Sequence, residues 1–205
     1  MNIWRERLAR WFDPLARRCP LSPNAISLIA LGVNLIAASC LFGGGRRPAL
    51  YLVAVALVVI GGLADAFDGI VARAQHKESR YGDFIDHVAD RVSDICLAGG
   101  WLLGNGVREE LALATVIAIM LNGYLFTQIE ATFNEHAYDS VGRGEFVLAL
   151  IIYPITSYLL AVCQWSALQL GGLRISEWMT LLLIAFAVLA IVQRLALAAR
   201  LGRTP

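Results

Sequence analysis

The sequence predicts an all-α membrane protein, a polytopic bundle of six transmembrane helices preceded by an amphipathic interfacial helix. The first observation is composition: 58% of the 205 residues are hydrophobic and 16% are charged, whereas about a quarter of a soluble domain is charged. The second is that the apolar residues form long blocks instead of the stripes of surface helices. The third is an uneven distribution of basic residues along the chain.

The first 20 residues are predicted to form the interfacial helix. They lack the apolar core and the small-residue cleavage site of a signal peptide. Apolar side chains can share one side of this helix while arginines occupy the other, as in helices that lie on a membrane surface. An ordinary charged N-terminal helix would also fit this pattern. The apolar positions are Ile3, Trp4, Leu8, Trp11, Phe12 and Leu15.

Six apolar blocks follow, each near the roughly 20 residues that one membrane crossing needs. Short segments that contain glycine or proline separate them. We therefore expect a single domain over residues 1–205, with the six-helix bundle in 24–201. The predicted spans are 24–44, 49–73, 81–104, 109–133, 145–165 and 175–199.

Basic residues predict the orientation of the bundle. If the N-terminus is cytoplasmic, all but four of the 17 lysines and arginines lie at or near the inner face. This bias follows the positive-inside rule. Both termini, and the acidic hairpin between the second and third spans, are then expected to be cytoplasmic. The four exceptions are Arg46, Arg47, Arg108 and Arg174.

The acidic hairpin brings aspartates of two spans to matched heights. If the spans are antiparallel with a turn near residue 77, Asp68 and Asp86 are equidistant from it, as are Asp65 and Asp90 to within one residue. A spacing of three keeps Asp65 and Asp68 on one face of the second span, and a spacing of four keeps Asp86 and Asp90 on one face of the third. At about 1.5 Å per residue, Asp65 lies roughly 24 Å across a core about 30 Å thick. Ionised groups there are costly, which indicates function.

Four converging carboxylates indicate divalent cations, because hard oxygen ligands suit Mg²⁺ or Mn²⁺. Such a cluster suits phosphate chemistry, in which two metals roughly 3.5–4 Å apart hold the attacking and leaving oxygens. Gly69 and Ala72 leave room beside the cluster for a ligand or a second helix. The planar guanidinium of Arg73 suits phosphate oxygens.

The hairpin resembles the signature of the CDP-alcohol phosphotransferase (CDP-alcohol phosphatidyltransferase) family. The signature is Asp65-x-x-Asp68-Gly69-x-x-Ala72-Arg73, then eight residues, then Gly82-x-x-x-Asp86-x-x-x-Asp90. Its eight residue types and their spacing all match, and the plan of an interfacial helix with six spans agrees. The resemblance implies an integral membrane enzyme of phospholipid biosynthesis. It would transfer the phosphatidyl-type moiety of a CDP-lipid to an acceptor alcohol and release CMP.

The resemblance also implies roles for matching residues. Two ions of Mg²⁺ or Mn²⁺ would be held by Asp65, Asp68, Asp86 and Asp90, and Asp90 would also be the base that deprotonates the alcohol. A homodimer in the lipid bilayer is implied as well, with no nucleic-acid partner. The CDP-lipid would contact Asn24, Ala25, Ile26, Ser27, Asp65, Gly69, Ala72, Arg73, Ser79 and Gly82.

Some residues of this region have a second interpretation. Ser22 or Asn24 could simply cap a helix that has proline in its first turn. Asp83 could only complement the dipole of the helix it begins. Asp94 could orient Arg91 or a metal ligand, and both options stay open.

The acceptor is expected to be inositol phosphate, glycerol phosphate or a similar alcohol. The resemblance places its phosphate near Arg143. Family members that use phosphorylated alcohols tend to have a second arginine a few residues later, where this chain has Glu145 and Phe146. Arg91 and Arg194 are the candidates to replace it.

Two other functional classes compete with the enzyme interpretation. A transporter or ion channel could place carboxylates in a membrane cavity, but inverted repeats or broken helices in both halves would be expected. A non-catalytic membrane scaffold would be favoured by loss of one signature aspartate, and all four are present. The widely spaced cysteines and three histidines form no recognised metal-binding motif.

Overall fold

The computed structural model describes residues 12–133 and 143–202, except the side chains of 143–145. Within these residues the chain forms seven helices and one two-stranded hairpin, so the all-α prediction is confirmed at the level of fold class. We label the helical residues 12–18 as α1. The remaining elements are α2 (Pro23–Gly44), α3 (Ala49–Ala74), α4 (Arg80–Gly104), α5 (Glu109–Phe133), α6 (Arg143–Val162), β1 (Gln169–Leu170), β2 (Leu173–Arg174) and α7 (Ile175–Leu201).

Helices α2 to α7 coincide with the six predicted spans to within a few residues at each end. Four of them, α2, α3, α5 and α7, are long and apolar enough to cross a membrane. Helix α4 carries the acidic hairpin's charges, and the apolar part of α6 that begins at Phe146 is shorter than a typical span. The count of six spans and the interfacial position of α1 therefore remain predictions. Residues 1–11 of the predicted interfacial helix lie outside the described part.

Helix α6 ends three residues before the predicted end of its span. Gln164 has a φ of 61°, and the Trp165 amide donates to the Leu160 carbonyl at 2.7 Å, which closes the helix in a left-handed cap. The antiparallel hairpin follows, and its turn residues Gly171 and Gly172 both have positive φ. A two-glycine turn of this kind suits a tight hairpin. The hairpin was not predicted from the sequence.

Close packing of α2 against α4 depends on two glycines one turn apart. A Cβ atom at Gly100 would collide with the Ala38 carbonyl oxygen, and one at Gly104 with the Leu41 carbonyl oxygen. Small residues at this spacing allow the backbones of two membrane helices to approach. The close approach holds the beginning of α2, which carries the predicted nucleotide motif, beside the beginning of α4.

Helix α4 is also tied to α6 in the bundle interior. The Trp101 indole donates a hydrogen bond of 3.0 Å to the buried Ser157 hydroxyl, and the Trp101 ring lies 5.2 Å from that of Tyr153. A buried indole N–H normally requires such a partner. The contact fixes the last turn of the helix whose first half carries Asp86 and Asp90.

The end of the bundle farthest from the aspartates has its own ionic network. Glu177, only 4% exposed, accepts from the Arg108 guanidinium at 2.9 Å and from the Arg174 amide at 2.8 Å. The Arg174 guanidinium in turn donates to the carbonyls of Asn105 and Gly106. This network joins the α4–α5 loop to the beginning of α7, so the charged residues here have a structural role.

The charge bias predicts which end of the bundle faces the cytoplasm. After replacement of the four native cysteines, Lys77→Cys is expected to react with a membrane-impermeant maleimide from the cytoplasmic side only. Glu109→Cys, at the other end of the bundle, is the matched control and is expected to react only from the opposite side. The reverse pattern of labelling would contradict the predicted orientation.

Candidate metal and nucleotide site

Three aspartates from α3 and α4 converge at one end of the bundle. Asp65, Asp68 and Asp86 each offer a carboxylate oxygen, and these oxygens lie within 4.8 Å of one another. Asp68 is 7% exposed, whereas Asp65 and Asp86 are half-buried. The sequence-based prediction that α3 and α4 bring carboxylates together is therefore met for these three residues.

Asp90 lies one helical turn farther along α4 than Asp86. It is 6% exposed and shares a helix face with Asp86 through the spacing of four. One turn corresponds to about 5.4 Å along the helix axis. Among the described residues, the group whose ligand atoms lie within 4.8 Å of one another comprises the other three aspartates, and Asp90 lies outside that group.

The turn between α3 and α4 allows the two acidic faces to meet. His76 adopts a φ of 53°, and the Lys77 amide donates to the Ala72 carbonyl at 2.9 Å, which ends α3 with a left-handed cap. The Ser79 hydroxyl then accepts from the Gly82 amide at 3.0 Å and caps the beginning of α4. Ser79, predicted to contact CDP, thus has a capping role in this structure.

The beginning of α2 lies against the same site. The Ser22 hydroxyl accepts from the Ala25 amide at 3.3 Å, and Pro23 occupies the first turn, so the capping role of Ser22 is confirmed. The Asn24 amide oxygen lies 3.2 Å from the position that a Cβ on Gly82 would take. Two predicted nucleotide contacts, one on α2 and one on α4, are therefore adjacent.

Ser27, the last residue of the predicted nucleotide motif, contacts the acidic cluster directly. Its hydroxyl donates a 2.6 Å hydrogen bond to Oδ2 of Asp68 across 41 residues of sequence. The preceding residue, Ile26, instead packs in a buried cluster with Ala16 and Val71. The motif therefore contributes both to the acidic cluster and to the apolar core.

Helix α1 is attached to the end of α3 beside this site. The Gln75 side-chain amide donates to the carbonyls of Ala16 and Cys19, both at 2.9 Å. The rings of Phe12 and Phe67 pack edge to face with centroids 6.1 Å apart. These contacts hold α1 at the end of the bundle that carries the aspartates.

The remaining positions of the α3 motif line the same helix turn. Gly69 and Ala72 are half-buried, and Arg73 is exposed. The Arg73 guanidinium lies 3.5 Å from the place a Cβ on Gly69 would occupy, an ordinary contact distance. A glycine is therefore not required there by Arg73 itself. The Arg73 guanidinium occupies the space beside Gly69 at van der Waals distance.

The donor set of the cluster fits Mg²⁺ or Mn²⁺. Its three predicted ligand groups are carboxylates, the ligands that these hard cations prefer. Two helices supply them, so their spacing is fixed by helix packing and not by a flexible loop. The residues present can therefore hold a divalent cation.

A second polar cluster connects α4, α5 and α7. Arg194 is 4% exposed, and its guanidinium donates to both the carbonyl and the side-chain oxygen of Asn122. It also lies 5.3 Å from the centroid of the Phe126 ring. Its Nε atom is buried and lacks a hydrogen-bond partner among the described residues.

Arg91 extends from α4 toward this second cluster. Its guanidinium forms an ion pair with Asp94 at 3.3 Å. This agrees with the first of the two roles expected for Asp94, which was to orient Arg91. A Cβ atom at Gly123 would collide with the Arg91 guanidinium, so the glycine leaves the space that this side chain fills. The sequence-based interpretation missed Asn122 and Gly123. A polar Asn-Gly pair inside an apolar span was the signal that could have identified them.

The predicted acceptor residue Arg143 begins α6, but its side chain lies outside the described residues. Asp83 is exposed in the first turn of α4, where its carboxylate complements the helix dipole.

The chain matches the family model described as CDP-alcohol phosphatidyltransferase over residues 20–192. It is 28% identical over 152 residues to archaetidylinositol phosphate synthase of Pyrococcus horikoshii, which covers 71% of this chain and 78% of that protein.

Similar solved structures belong to phosphatidylinositol phosphate synthase of Mycobacterium tuberculosis. With manganese and citrate, that enzyme is 20% identical, with a TM-score of 0.65, over 94% of this chain and 87% of its own. With CDP-DAG bound, it is 18% identical, with a TM-score of 0.68, over 96% of each chain. At these identities, the structural likeness supports the fold.

The converging carboxylates predict divalent-cation binding without any substrate. Asp86→Asn is expected to weaken Mn²⁺ binding to the purified protein by about tenfold or more, because it removes one anionic ligand. Binding is measured by the loss of the electron paramagnetic resonance signal of free Mn²⁺. Asp83→Asn, an exposed aspartate one turn away, is the matched control and is expected to leave the affinity unchanged. Equal affinities for the two variants would contradict the placement of the site.

Proposed function

The chain belongs to the CDP-alcohol phosphatidyltransferase family, and from this premise we propose that it transfers the phosphatidyl-type moiety of a CDP-lipid to inositol phosphate or a similar phosphorylated alcohol, releasing CMP. Family membership makes it a transferase of phospholipid biosynthesis with membrane helices. The convergence of Asp65, Asp68 and Asp86 is the observation that carries the proposed chemistry. The acceptor, the ion count and the individual roles are the proposed parts.

In the proposal, Asp65, Asp68, Asp86 and Asp90 hold two ions of Mg²⁺ or Mn²⁺. The three-carboxylate cluster supports this assignment, as does the manganese complex of the tuberculosis enzyme. When bound, such ions supply charge stabilisation to the phosphate oxygens of the CDP-lipid. The protein contributes the fixed geometry of two packed helices.

The CDP group is proposed to bind where α2, α3 and α4 meet. The CDP-DAG complex of the tuberculosis enzyme supports a CDP-lipid as substrate. Asn24 and Gly82 are adjacent, and the exposed guanidinium of Arg73 is available to the diphosphate. Because the Ile26 side chain packs in the core, its backbone would provide any contact. The proposed set is Asn24, Ala25, Ile26, Ser27, Asp65, Gly69, Ala72, Arg73, Ser79 and Gly82.

Asp90 is proposed to accept the proton of the acceptor hydroxyl. An alcohol has a high pKa, so its attack needs a proton acceptor within hydrogen-bond reach. As the proton moves to the Asp90 carboxylate, the alcohol oxygen forms a bond to the lipid-bearing phosphorus. The bond between that phosphorus and the oxygen of CMP breaks, and CMP leaves with the electron pair.

The second polar cluster supports a phosphorylated acceptor. Arg194 is buried with an unpartnered Nε, and the positive charge of Arg91 acts on it. Buried polar groups normally have partners, so the unpartnered Nε of Arg194 supports an anionic ligand at this position. Arg91 directly follows Asp90 in α4, so the two residues lie in one helical turn, with side chains that leave the helix in different directions. We assign the acceptor phosphate to Arg194 and Arg91, together with Arg143.

The proposed setting is a cell membrane crossed by six helices, with the active site and both termini cytoplasmic. Four apolar helices support the membrane location, and the charge bias supports the orientation. A single domain over 1–205 and a homodimer complete the proposal.

A CMP-release assay tests the activity. Purified protein is incubated with CDP-diacylglycerol, Mg²⁺ or Mn²⁺ and a panel of alcohols, and CMP is quantified by chromatography. Inositol phosphate is expected to give the fastest release, with glycerol phosphate next and free inositol or serine at background. If none of the alcohols releases CMP with either metal, the proposed enzyme activity is wrong.

Asp90→Asn is expected to separate proton transfer from substrate binding. The variant keeps the size of the side chain and one oxygen but loses the base, so kcat should fall about 100-fold or more. CDP-lipid affinity, measured by equilibrium binding, should stay near that of the wild type. Asp65→Asn or Asp68→Asn should instead weaken metal and CDP-lipid binding together. Normal turnover of Asp90→Asn at saturating metal would show that another group is the base.

Replacing an arginine proposed to bind the acceptor phosphate is expected to change the KM for the alcohol and not the KM for the CDP-lipid. Arg143→Ala and Arg194→Gln should each raise the KM for inositol phosphate about tenfold or more, because a charge-assisted contact to the phosphate is lost. The KM for CDP-lipid should be unchanged. Arg200→Gln, an exposed arginine on the same helix as Arg194, is the control.

The thermal stability of each arginine variant is measured alongside its kinetics. If a variant folds normally and keeps the wild-type KM for the phosphorylated alcohol, the replaced arginine does not bind the acceptor phosphate. A uniform increase in both KM values would indicate a general structural role.

A further inference from the structure

Hydroxyl side chains inside the helices of this bundle have a common hydrogen-bonding pattern. A helical serine or threonine usually donates to the carbonyl four residues earlier, which satisfies the hydroxyl without any tertiary partner. Besides Ser27, the described residues with this contact are Ser39 to Leu35, Thr115 to Leu111, Thr127 to Gly123, Thr156 to Ile152 and Thr180 to Ser176.

Ser27 has this contact and a tertiary partner as well. Its hydroxyl lies at hydrogen-bond distance from the Pro23 carbonyl, at 3.2 Å, but its shorter contact is to Oδ2 of Asp68, at 2.6 Å. A length of 2.6 Å is typical of a hydroxyl that donates to an ionised carboxylate. Ser27 is 5% exposed, so water does not compete freely for the contact.

The position of the donor is itself fixed. Ser27 lies in the second turn of α2, which begins at Pro23 under the Ser22 cap. Its neighbour Ile26 is held in a buried cluster with Val71, one turn beyond Asp68 on α3. The hydroxyl therefore acts on the Asp68 carboxylate from a helix whose register against α3 is set by packing.

We infer that Ser27 is a positioning residue for metal binding: its hydroxyl holds one oxygen of Asp68, so the carboxylate is oriented toward Asp65 and Asp86 before an ion arrives. This rests on the proposed function, and it gives Ser27 a role apart from the contact with CDP that the family resemblance implies. Partners of this kind commonly change metal affinity by about 10–100-fold. They act by restricting the rotation of the ligand they hold.

The test compares Ser27→Val with Ser27→Thr. The two new side chains have nearly the same shape and differ in the hydroxyl, so added bulk affects both equally. Mn²⁺ binding is measured by electron paramagnetic resonance on detergent-purified protein without substrate. Ser27→Val is expected to bind Mn²⁺ about 10–100-fold more weakly than the wild type, and Ser27→Thr to stay within a few-fold of it.

Two further variants control for packing. Ser39→Val removes an exposed hydroxyl that donates to the Leu35 carbonyl of its own helix, and it is expected to leave Mn²⁺ affinity unchanged. Ser27→Ala removes the hydroxyl without adding bulk. If the larger residues lower the melting temperature, Ser27→Ala is compared with the wild type instead, with the same expected loss of affinity.

Wild-type Mn²⁺ affinity in Ser27→Val and Ser27→Ala would overturn the inference. So would unchanged metal affinity combined with a higher KM for CDP-lipid, because that result assigns the hydroxyl to the nucleotide. Both outcomes leave the proposed enzyme activity intact. Absence of CMP release and of Mn²⁺ binding in the wild type would instead defeat the proposed function and the inference together.

Discussion

Repulsion among carboxylates held together in an apolar bundle is the constraint on which this structure depends. Oxygens of Asp65, Asp68 and Asp86 lie within 4.8 Å of one another. Two unit charges at that distance repel by about 3 kcal/mol at an effective dielectric constant near 20. A few such pairs are comparable with the whole stability of a typical domain. The helices around the cluster must therefore be held by contacts that do not depend on the aspartates.

Those contacts are distributed along α4. At its far end, Gly100 and Gly104 let α2 approach closely, and Trp101 is bonded to α6 through Ser157. Beyond that end, the Glu177 carboxylate accepts hydrogen bonds from Arg108 and Arg174, which joins the α4–α5 loop to α7. Apolar packing, a buried neutral hydrogen bond and a compensated ionic network thus hold the scaffold. The three carboxylates at the acidic end are thus held close together by a scaffold that does not depend on them.

Sequence periodicity predicted the parts of this arrangement that depend on position along a helix. The helix bounds and the convergence of Asp65, Asp68 and Asp86 follow from apolar block length and from spacings of three and four. The partner of the Ser27 hydroxyl did not follow, because a helical serine can choose a carbonyl four residues back, and only the packing of α2 on α3 decides. The contact of Arg194 with Asn122 was missed for the same reason: it joins helices 72 residues apart in sequence.

The order of charges along α4 supports the proposed use of two phosphorylated substrates, each bound by different side chains. Asp86 belongs to the carboxylate cluster, Asp90 lies one turn deeper, and Arg91 begins the arginine cluster. In the proposed reaction, the diphosphate of the CDP-lipid needs cations at the carboxylates, whereas the acceptor phosphate would be repelled by bare carboxylates and bind to arginine. An alcohol anchored by its phosphate near Arg91 and Arg194 would present its hydroxyl toward Asp90. In this proposal, Asp90 would lie between the site of the CDP-lipid and the site of the acceptor phosphate.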